Sequence, residues 1–296
     1  MKVRRKIFGP LVMGAAVGIA GLATQVLGAA PAGAASIPPG TVHVVEKQSP
    51  FNNLASKSFS ANCPAGQRVL GGGAFTVGGV HAVITELQPI HTTGGDSFKV
   101  SAAADQFGIP GVWSFQVFAF CAAVPDALGV QIVPHTNPPT SASMDQAPTS
   151  CPAGKFLIVA GGKIANGNGQ VDLGIFTNSS GSFAGGSAAF AKEDADGFAG
   201  NYTVTGYSVC ARPNLIGDFQ QVKQDFSTTA PSQTATIACP SGLRLTGLAG
   251  GTETPGTHLQ EIAPTTTNAP NLAKFGAQSS SQASLGPWEA TVFCAK

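Results

Sequence analysis

The sequence predicts an all-β protein of three tandem, disulfide-clamped repeats of about 88 residues, each a packed, sandwich-like module. Three observations carry this expectation. Cys63-Pro64-Ala65-Gly66, Cys151-Pro152-Ala153-Gly154 and Cys239-Pro240-Ser241-Gly242 begin 88 residues apart. A fixed period of that length is the mark of one supersecondary unit written three times. Each box is followed by a cysteine inside a hydrophobic stretch, Cys121, Cys210 or Cys294, and these positions use all six cysteines. The stretches themselves alternate: Trp113, Phe115, Val117 and Ala119 share the side of Cys121, with Ser114 and Gln116 opposite. Period two marks a β-strand.

The chain opens on Lys2, Arg4, Arg5 and Lys6, an apolar run over 7–27 and the small residues Ala32-Gly33-Ala34. This is the layout of a cleaved export signal, expected at 1–35, with a short linker at 36–40. An uncleaved membrane anchor and a twin-arginine signal are the competing readings. Removing the leader takes away four of the 16 bases and none of the 15 acids, leaving the exported chain slightly acidic. With 10% charged residues and no basic cluster, the footprint of a nucleic-acid binder is missing. No second apolar segment reaches spanning length, so no membrane span is expected after signal removal.

The repeats are expected at 41–126, 127–214 and 215–296. In the first, strands are expected around 42–45, 58–62, 68–76, 81–89 and 98–103 and before Cys121, five or six per repeat and fifteen or more overall. Trp113, Tyr202 and Trp288 fall on the cysteine side of their strands and read as core. In each box Pro stops ladder pairing and Gly permits a turn with positive φ, so the box reads as a corner. Gly71-Gly72-Gly73, Gly161-Gly162 and Gly250-Gly251 sit in strand-like text and read as bulges or close backbone approaches. A single prism closed around a pseudo-threefold axis is the alternative architecture. Six cysteines allow 15 pairings. Repetition favours Cys63 with Cys121, Cys151 with Cys210 and Cys239 with Cys294; a rival scheme joins Cys121 to Cys151 and Cys210 to Cys239.

The run Cys63-Pro64-Ala65-Gly66-Gln67-Arg68-Val69-Leu70-Gly71-Gly72-Gly73, with the closing Val117-Phe118-Ala119-Phe120-Cys121-Ala122, resembles the repeat of secreted actinobacterial proteins with a Cys-Pro-Ala-Gly-x-x-Val-Leu-Gly-Gly-Gly box. That resemblance implies secretion and no established activity. The Cys-Pro-x-Gly corners are also similar, more weakly, to those of vitelline-membrane outer-layer proteins, which implies the prism alternative.

No catalytic motif stands out. Gly206-Tyr207-Ser208-Val209-Cys210 approaches a nucleophile elbow but lacks the final Gly and a following helix. His43, His81, His91, His135 and His258 share no metal spacing and read as scattered. Within 193–197, Asp194 and Asp196 form a weak calcium candidate, since Asp-Gly is also a common hairpin turn and the other ligands of an EF-hand are missing. No cofactor is expected. The expected function is a secreted, non-enzymatic, surface-associated binding or structural module whose partner is an extracellular protein, a glycan or another cell-surface component. Exposed aromatics for a glycan would come from Phe107, Phe183 or Phe198. The alternative is a secreted hydrolase, signalled by two of Glu86, Asp96, Asp105, Asp172, Glu193, Glu253 and Glu261 converging with a histidine in one pocket.

Overall fold

Each Cys-Pro-x-Gly box stops a strand and turns the chain. In the computed structural model Gly66, Gly154 and Gly242 have φ of 78°, 79° and 84°, and the amides of Gln67, Lys155 and Leu243 donate to the carbonyls of Pro64, Pro152 and Pro240 at 3.0 Å. Glycine takes the positive φ without a Cβ clash. The structure describes residues 37, 41–79, 81–177, 185–212 and 218–296. The expected export signal lies outside them, as does the 36–40 linker apart from Ile37.

The strands repeat with the boxes. The first period contains β1 (His43–Gln48), β2 (Ser56–Asn62), β3 (Arg68–Val77), β4 (Ala82–Thr92), β5 (Gly95–Ala104) and β6 (Ser114–Ala122). The second contains β7 (Gln131–Thr136), β8 (Met144–Ser150), β9 (Phe156–Ala165), β10 (Val171–Thr177), β11 (Gly186–Glu193) and β12 (Thr203–Ala211). The third contains β13 (Gln220–Thr228), β14 (Ser232–Ala238), β15 (Arg244–Thr252), β16 (Thr257–Pro264), β17 (Leu272–Ser279) and β18 (Gly286–Ala295). Among the described residues the only helical element is a 3-10 turn, Asp126–Leu128, and no helix is long and apolar enough to cross a membrane.

Within each period the first, sixth and third strands pair in that order, and so do the second, fifth and fourth, all antiparallel. Three disulfides, Cys63–Cys121, Cys151–Cys210 and Cys239–Cys294, join these half-units, so the cross-seam pairing does not occur. Two seams between periods are closed by ladders. β4 pairs with β9 through Glu86↔Lys163 and Leu87↔Gly162, and β16 pairs with β3 through Glu261↔Phe75 and Ile262↔Ala74. The result is a ring of four sheets, two of six strands and two of three. Both architectural expectations are thereby corrected. The periods are not separately packed sandwich modules, because their edges share ladders and residues 34–296 form one unit. Nor is the ring a closed threefold prism, because no ladder joins β10 to β15.

The core is assembled from equivalent positions. Gly71, Val159 and Gly247 follow the bulges in β3, β9 and β15, and they meet in space. A Cβ on Gly247 would lie 2.1 Å from Val159 Cγ2, and one on Gly71 would lie 2.8 Å from Gly247 Cα. One side chain of the three fills the space. Gly247→Ala is therefore expected to cost about 2–3 kcal/mol through overpacking, and Val159→Gly in the same chain is expected to recover much of that loss. Additive losses in a denaturant double-mutant cycle would contradict this packing.

Trp113, Tyr202 and Trp288 are buried, as their strand parity implies, and each polar tip has an acceptor: Leu54 O at 2.9 Å, Ala142 O at 2.6 Å and Gln233 Oε1 at 2.9 Å. The half-buried reading of the cysteine strands is too conservative. Ser114, Phe118 and Phe120 are buried as well, because β6 is the middle strand of its half-unit and is covered on both faces.

The missing ladder has a local cause. Gly73 and Gly161 occupy one position of the laddered seams, where a Cβ would lie 2.0 Å from Ile262 O and 2.5 Å from Leu87 O. Ladder register places Ala249 at that position in β15, so its methyl stands where the carbonyl of β10 would have to come. β4 and β16 also carry a bulge next to their seam residues, at Ile84/Glu86 and Leu259/Glu261. β10 pairs with β11 without one. A bulge bends a strand and increases its twist, and β10, without one, packs on β15 at Gly174 and Gly251 but forms no ladder with it. Phe176 then lies against the backbone at Gly174 and Gly251, within 2.8 Å of where a Cβ on either would stand.

Candidate functional site

The unladdered seam opens as a cleft of about 480 Å³. One wall is the face of β8, β10 and β11 that carries Met144, Gln146, Phe176, Phe190 and Lys192; the other carries Lys223, Thr252, Glu253 and Glu289. Strand parity puts these side chains together, since Phe190 faces Gln146 and Gly174 while Lys192 faces Met144 and Asp172. The Phe176 and Phe190 rings meet edge to face, with centroids 4.9 Å apart. Lys192 donates to the Thr252 carbonyl at 3.0 Å, standing in for a bond the seam does not make.

The charges in the cleft are matched among themselves. Lys223 pairs with Glu289 and, at 3.7 Å, with Asp225. Burial pulls the Lys192 ammonium down to about 8, against the opposing pull of Asp172 and Glu253. Burial also pushes the Glu289 carboxyl up, and Lys223 opposes it. Glu289 Oε1 is buried with no donor.

Behind the Lys192 wall lies a polar cluster formed at equivalent positions. Val83, Asp172 and His258 face Ala103, Lys192 and Gln278 across corresponding ladders. Asp105, Asp194 and Ser280 follow one layer on, their amides donating to the carbonyls of His81, Gln170 and Gly256. His258 Nδ1 lies 4.0 Å from Asp172 Oδ1 and 3.3 Å from Ser280 Oγ, and His81 Nδ1 lies 2.9 Å from Asp105 Oδ2. Burial raises the Asp172 carboxyl to about 8, with Lys192 pulling against it and Asp194 and Asp105 adding to it. Burial lowers His258 to about 4, so its ring is neutral at neutral pH.

This set is not a Ser-His-Asp relay. Both Ser280 and Asp172 approach Nδ1, whereas His258 Nε2 is buried without a partner, and a relay needs one group at each ring nitrogen. Two of the named carboxylates, Asp105 and Asp172, do converge with histidines. The other five lie elsewhere: Glu86 pairs with Lys99 and Lys163, Asp96 with Arg68 and with a separate histidine, His91, Glu261 with Lys274, Glu253 lines the cleft, and Glu193 ends β11 with Oε1 buried without a partner. Ser208 is buried in β12 and bonds Thr149 and Ser187.

Asp194 is buried and Asp196 accepts a bond from Gln106 Nε2 at 3.0 Å. Among the described residues no group of three or more His, Cys, Asp or Glu is placed to hold a metal ion. Phe107 is 58% exposed and Phe198 packs on the core; Phe183 lies outside the described residues. The reading of His81 and His258 as scattered is corrected, because the ring brings them beside Asp105 and Asp172. Lys192, Glu289 and Ser280 were missed. Lining up the three periods strand by strand would have exposed them, since Asp172 and His258 occupy the place of an apolar Val83. No protein-family model matches the chain, and no curated protein matches it.

Proposed function

We propose that the chain is exported and acts outside the cell as a non-enzymatic β-repeat protein that binds a cell-surface component, and that the open seam is its binding cleft. The observation that carries this reading is the cleft itself, which forms at the one seam without a ladder and holds a buried carboxylate oxygen with no donor. The best-matched ligand is a neutral saccharide segment of a surface glycan. The cleft's lysines and glutamates already face one another, so little charge is left over to select an ion. Sugar hydroxyls donate to Glu289 and accept from the ammoniums, while an apolar sugar face covers Phe190 and Phe176. The resemblance to secreted actinobacterial repeats and the three disulfides support export.

A glycan and cell-wall polymer array tests this. Saturable binding is expected, reduced about tenfold by Glu289→Gln, which corresponds to one charge-assisted hydrogen bond, and by a similar factor in Phe190→Ala. An array with no retained signal, or one unchanged in both variants, would remove the cleft as a glycan site. The convergence of Asp105 and Asp172 with His81 and His258 favours a second reading, a hydrolase using paired carboxylates. Turnover of ester, glycoside or peptide substrates that is lost in Asp172→Asn would establish it in place of the first.

A further inference from the structure

Of the eight strands that end the four sheets, β10 and β15 meet at the open seam, which leaves β1, β2, β7, β8, β13 and β14 as free edges among the described residues. We propose that the edge of β14 pairs antiparallel with the β14 edge of a second copy of this chain, joining two six-stranded sheets into one across a twofold axis at Ala235. The interface is distinct from the open seam and does not rest on its ligand.

The first argument is that the other five edges carry a device against pairing and β14 carries none. A free edge is a row of unpaired N–H and C=O groups, which templates another strand unless a charge, a proline or a bulge prevents it. β1 has Glu46 and Lys47, β2 the inward-pointing Lys57, and β13 Lys223 and Asp225. β7 and β8 have Pro134 and Pro148. Both prolines fall on the unpaired side of their strands. The Asn137 amide donates to the Val204 carbonyl and the Cys151 amide to the Gly185 carbonyl, so odd positions bond the neighbouring strand and even positions face the edge. β14 reads Ser232-Gln233-Thr234-Ala235-Thr236-Ile237-Ala238, with neither charge nor proline, and its ladder with β17 has no bulge. Thr236 stands 88 residues after Pro148, so β14 keeps an N–H where β8 has lost one.

The second argument is where the free groups of β14 point. The Cys239 amide donates to the Asn271 carbonyl and the Ser279 amide to the Pro231 carbonyl. Odd positions therefore bond β17, and Ser232, Thr234, Thr236 and Ala238 turn their main-chain groups to the edge. All four are exposed, and among the described residues no main-chain hydrogen bond outside the ladders reaches them.

The third argument is that this edge fits itself. Full antiparallel overlap of Ser232–Ala238 with its copy puts Ala235 on the axis, Thr234 opposite Thr236 and Ser232 opposite Ala238, the arrangement a twofold interface requires. These are hydrogen-bonded pairs, each exchanging both main-chain bonds. Threonine pairs are favourable across antiparallel strands, and no like charges meet. The charges of the adjoining strands are matched within each copy: Lys274 on β17 pairs with Glu261 at 2.8 Å, and Lys223 on β13 with Glu289 and Asp225.

The experiment is sedimentation of the disulfide-intact chain over a concentration series, with amide exchange followed by NMR. A reversible monomer–dimer equilibrium is expected, in which the Thr234 and Thr236 amides exchange freely when dilute and become protected when concentrated. Thr236→Pro copies β8 at a position whose amide bonds no other strand of the chain, and it is expected to keep the melt and abolish the dimer. Ser60→Pro, at the same position of β2, is expected to leave the dimer intact. Thr234→Lys and Thr236→Glu are each expected to weaken self-association severalfold, and an equimolar mixture of the two variants to recover it, because opposite charges then face each other across the axis. A chain that stays monomeric at every concentration, which would leave the edge to a different protein, overturns the proposal. So does a dimer undiminished in Thr236→Pro with an unchanged melt, or a pair of charged variants that fails to recover on mixing.

Discussion

Gly73→Ala is expected to cost about 5 kcal/mol, at the extreme end of single substitutions. The added Cβ would lie 2.0 Å from the carbonyl oxygen of Ile262, a main-chain atom held in the β16–β3 seam. A flexible side chain could move aside, but this oxygen cannot move without parting the two strands. Gly161→Ala is the matching test at the β4–β9 seam, where the distance is 2.5 Å to Leu87 O. The informative control is Ala249→Gly, the same position at the seam that is already open, which is expected to cost about 1 kcal/mol, the ordinary penalty of glycine in a strand. Denaturant midpoints of the three variants measured under non-reducing conditions check this. Similar losses at all three positions would refute the account of why one seam stays open.

Removing any one disulfide as a Cys→Ala pair is expected to cost about 4 kcal/mol by the chain-entropy model, because the sequence separations of 58, 59 and 55 residues are nearly equal. The local consequences should differ. Cys63–Cys121 ties the two six-stranded sheets, in each of which a closed-seam ladder anchors the half-unit to a neighbouring period. Cys239–Cys294 ties the half-unit of β13, β18 and β15, which no seam ladder joins to another period. Its loss is expected to accelerate amide exchange in β13 and β18 well below the global unfolding free energy, whereas loss of Cys63–Cys121 leaves exchange in β1 and β6 close to the global rate. Equal exchange in the two variants would show that the open seam is held as tightly as the closed ones.

The corners and most strands could be read from the residues because their causes are local, and repetition favoured the observed cysteine pairing over its cross-seam rival. Pro64 and Gly66 define a turn wherever the chain goes next, and the alternation from Trp113 to Cys121 defines a buried face whatever covers it. The cleft was not legible, because its cause is a comparison between periods. Ala249 departs from Gly73 and Gly161 by one methyl group, and β10 lacks the bulge residue that Thr85 and Gln260 supply in β4 and β16. Neither change alters the secondary structure of its own strand. The polar cluster was hidden for a related reason: His81, Asp105, Asp172, Asp194, His258 and Ser280 are spread over three periods, so no spacing motif joins them.

The sequence by itself determined that this chain is all-β and that it repeats every 88 residues, and it favoured a disulfide within each period, which the structure selects over the cross-seam pairing. Hydrophobic parity, turn chemistry and repetition are properties of neighbouring residues, so they survive without knowledge of the fold. Tertiary structure decided which edges meet. At these seams a carbonyl must approach the neighbouring strand, which Gly73 and Gly161 allow and Ala249 does not, so the third seam packs at Gly174 and Gly251 without a ladder and a cleft opens beside it.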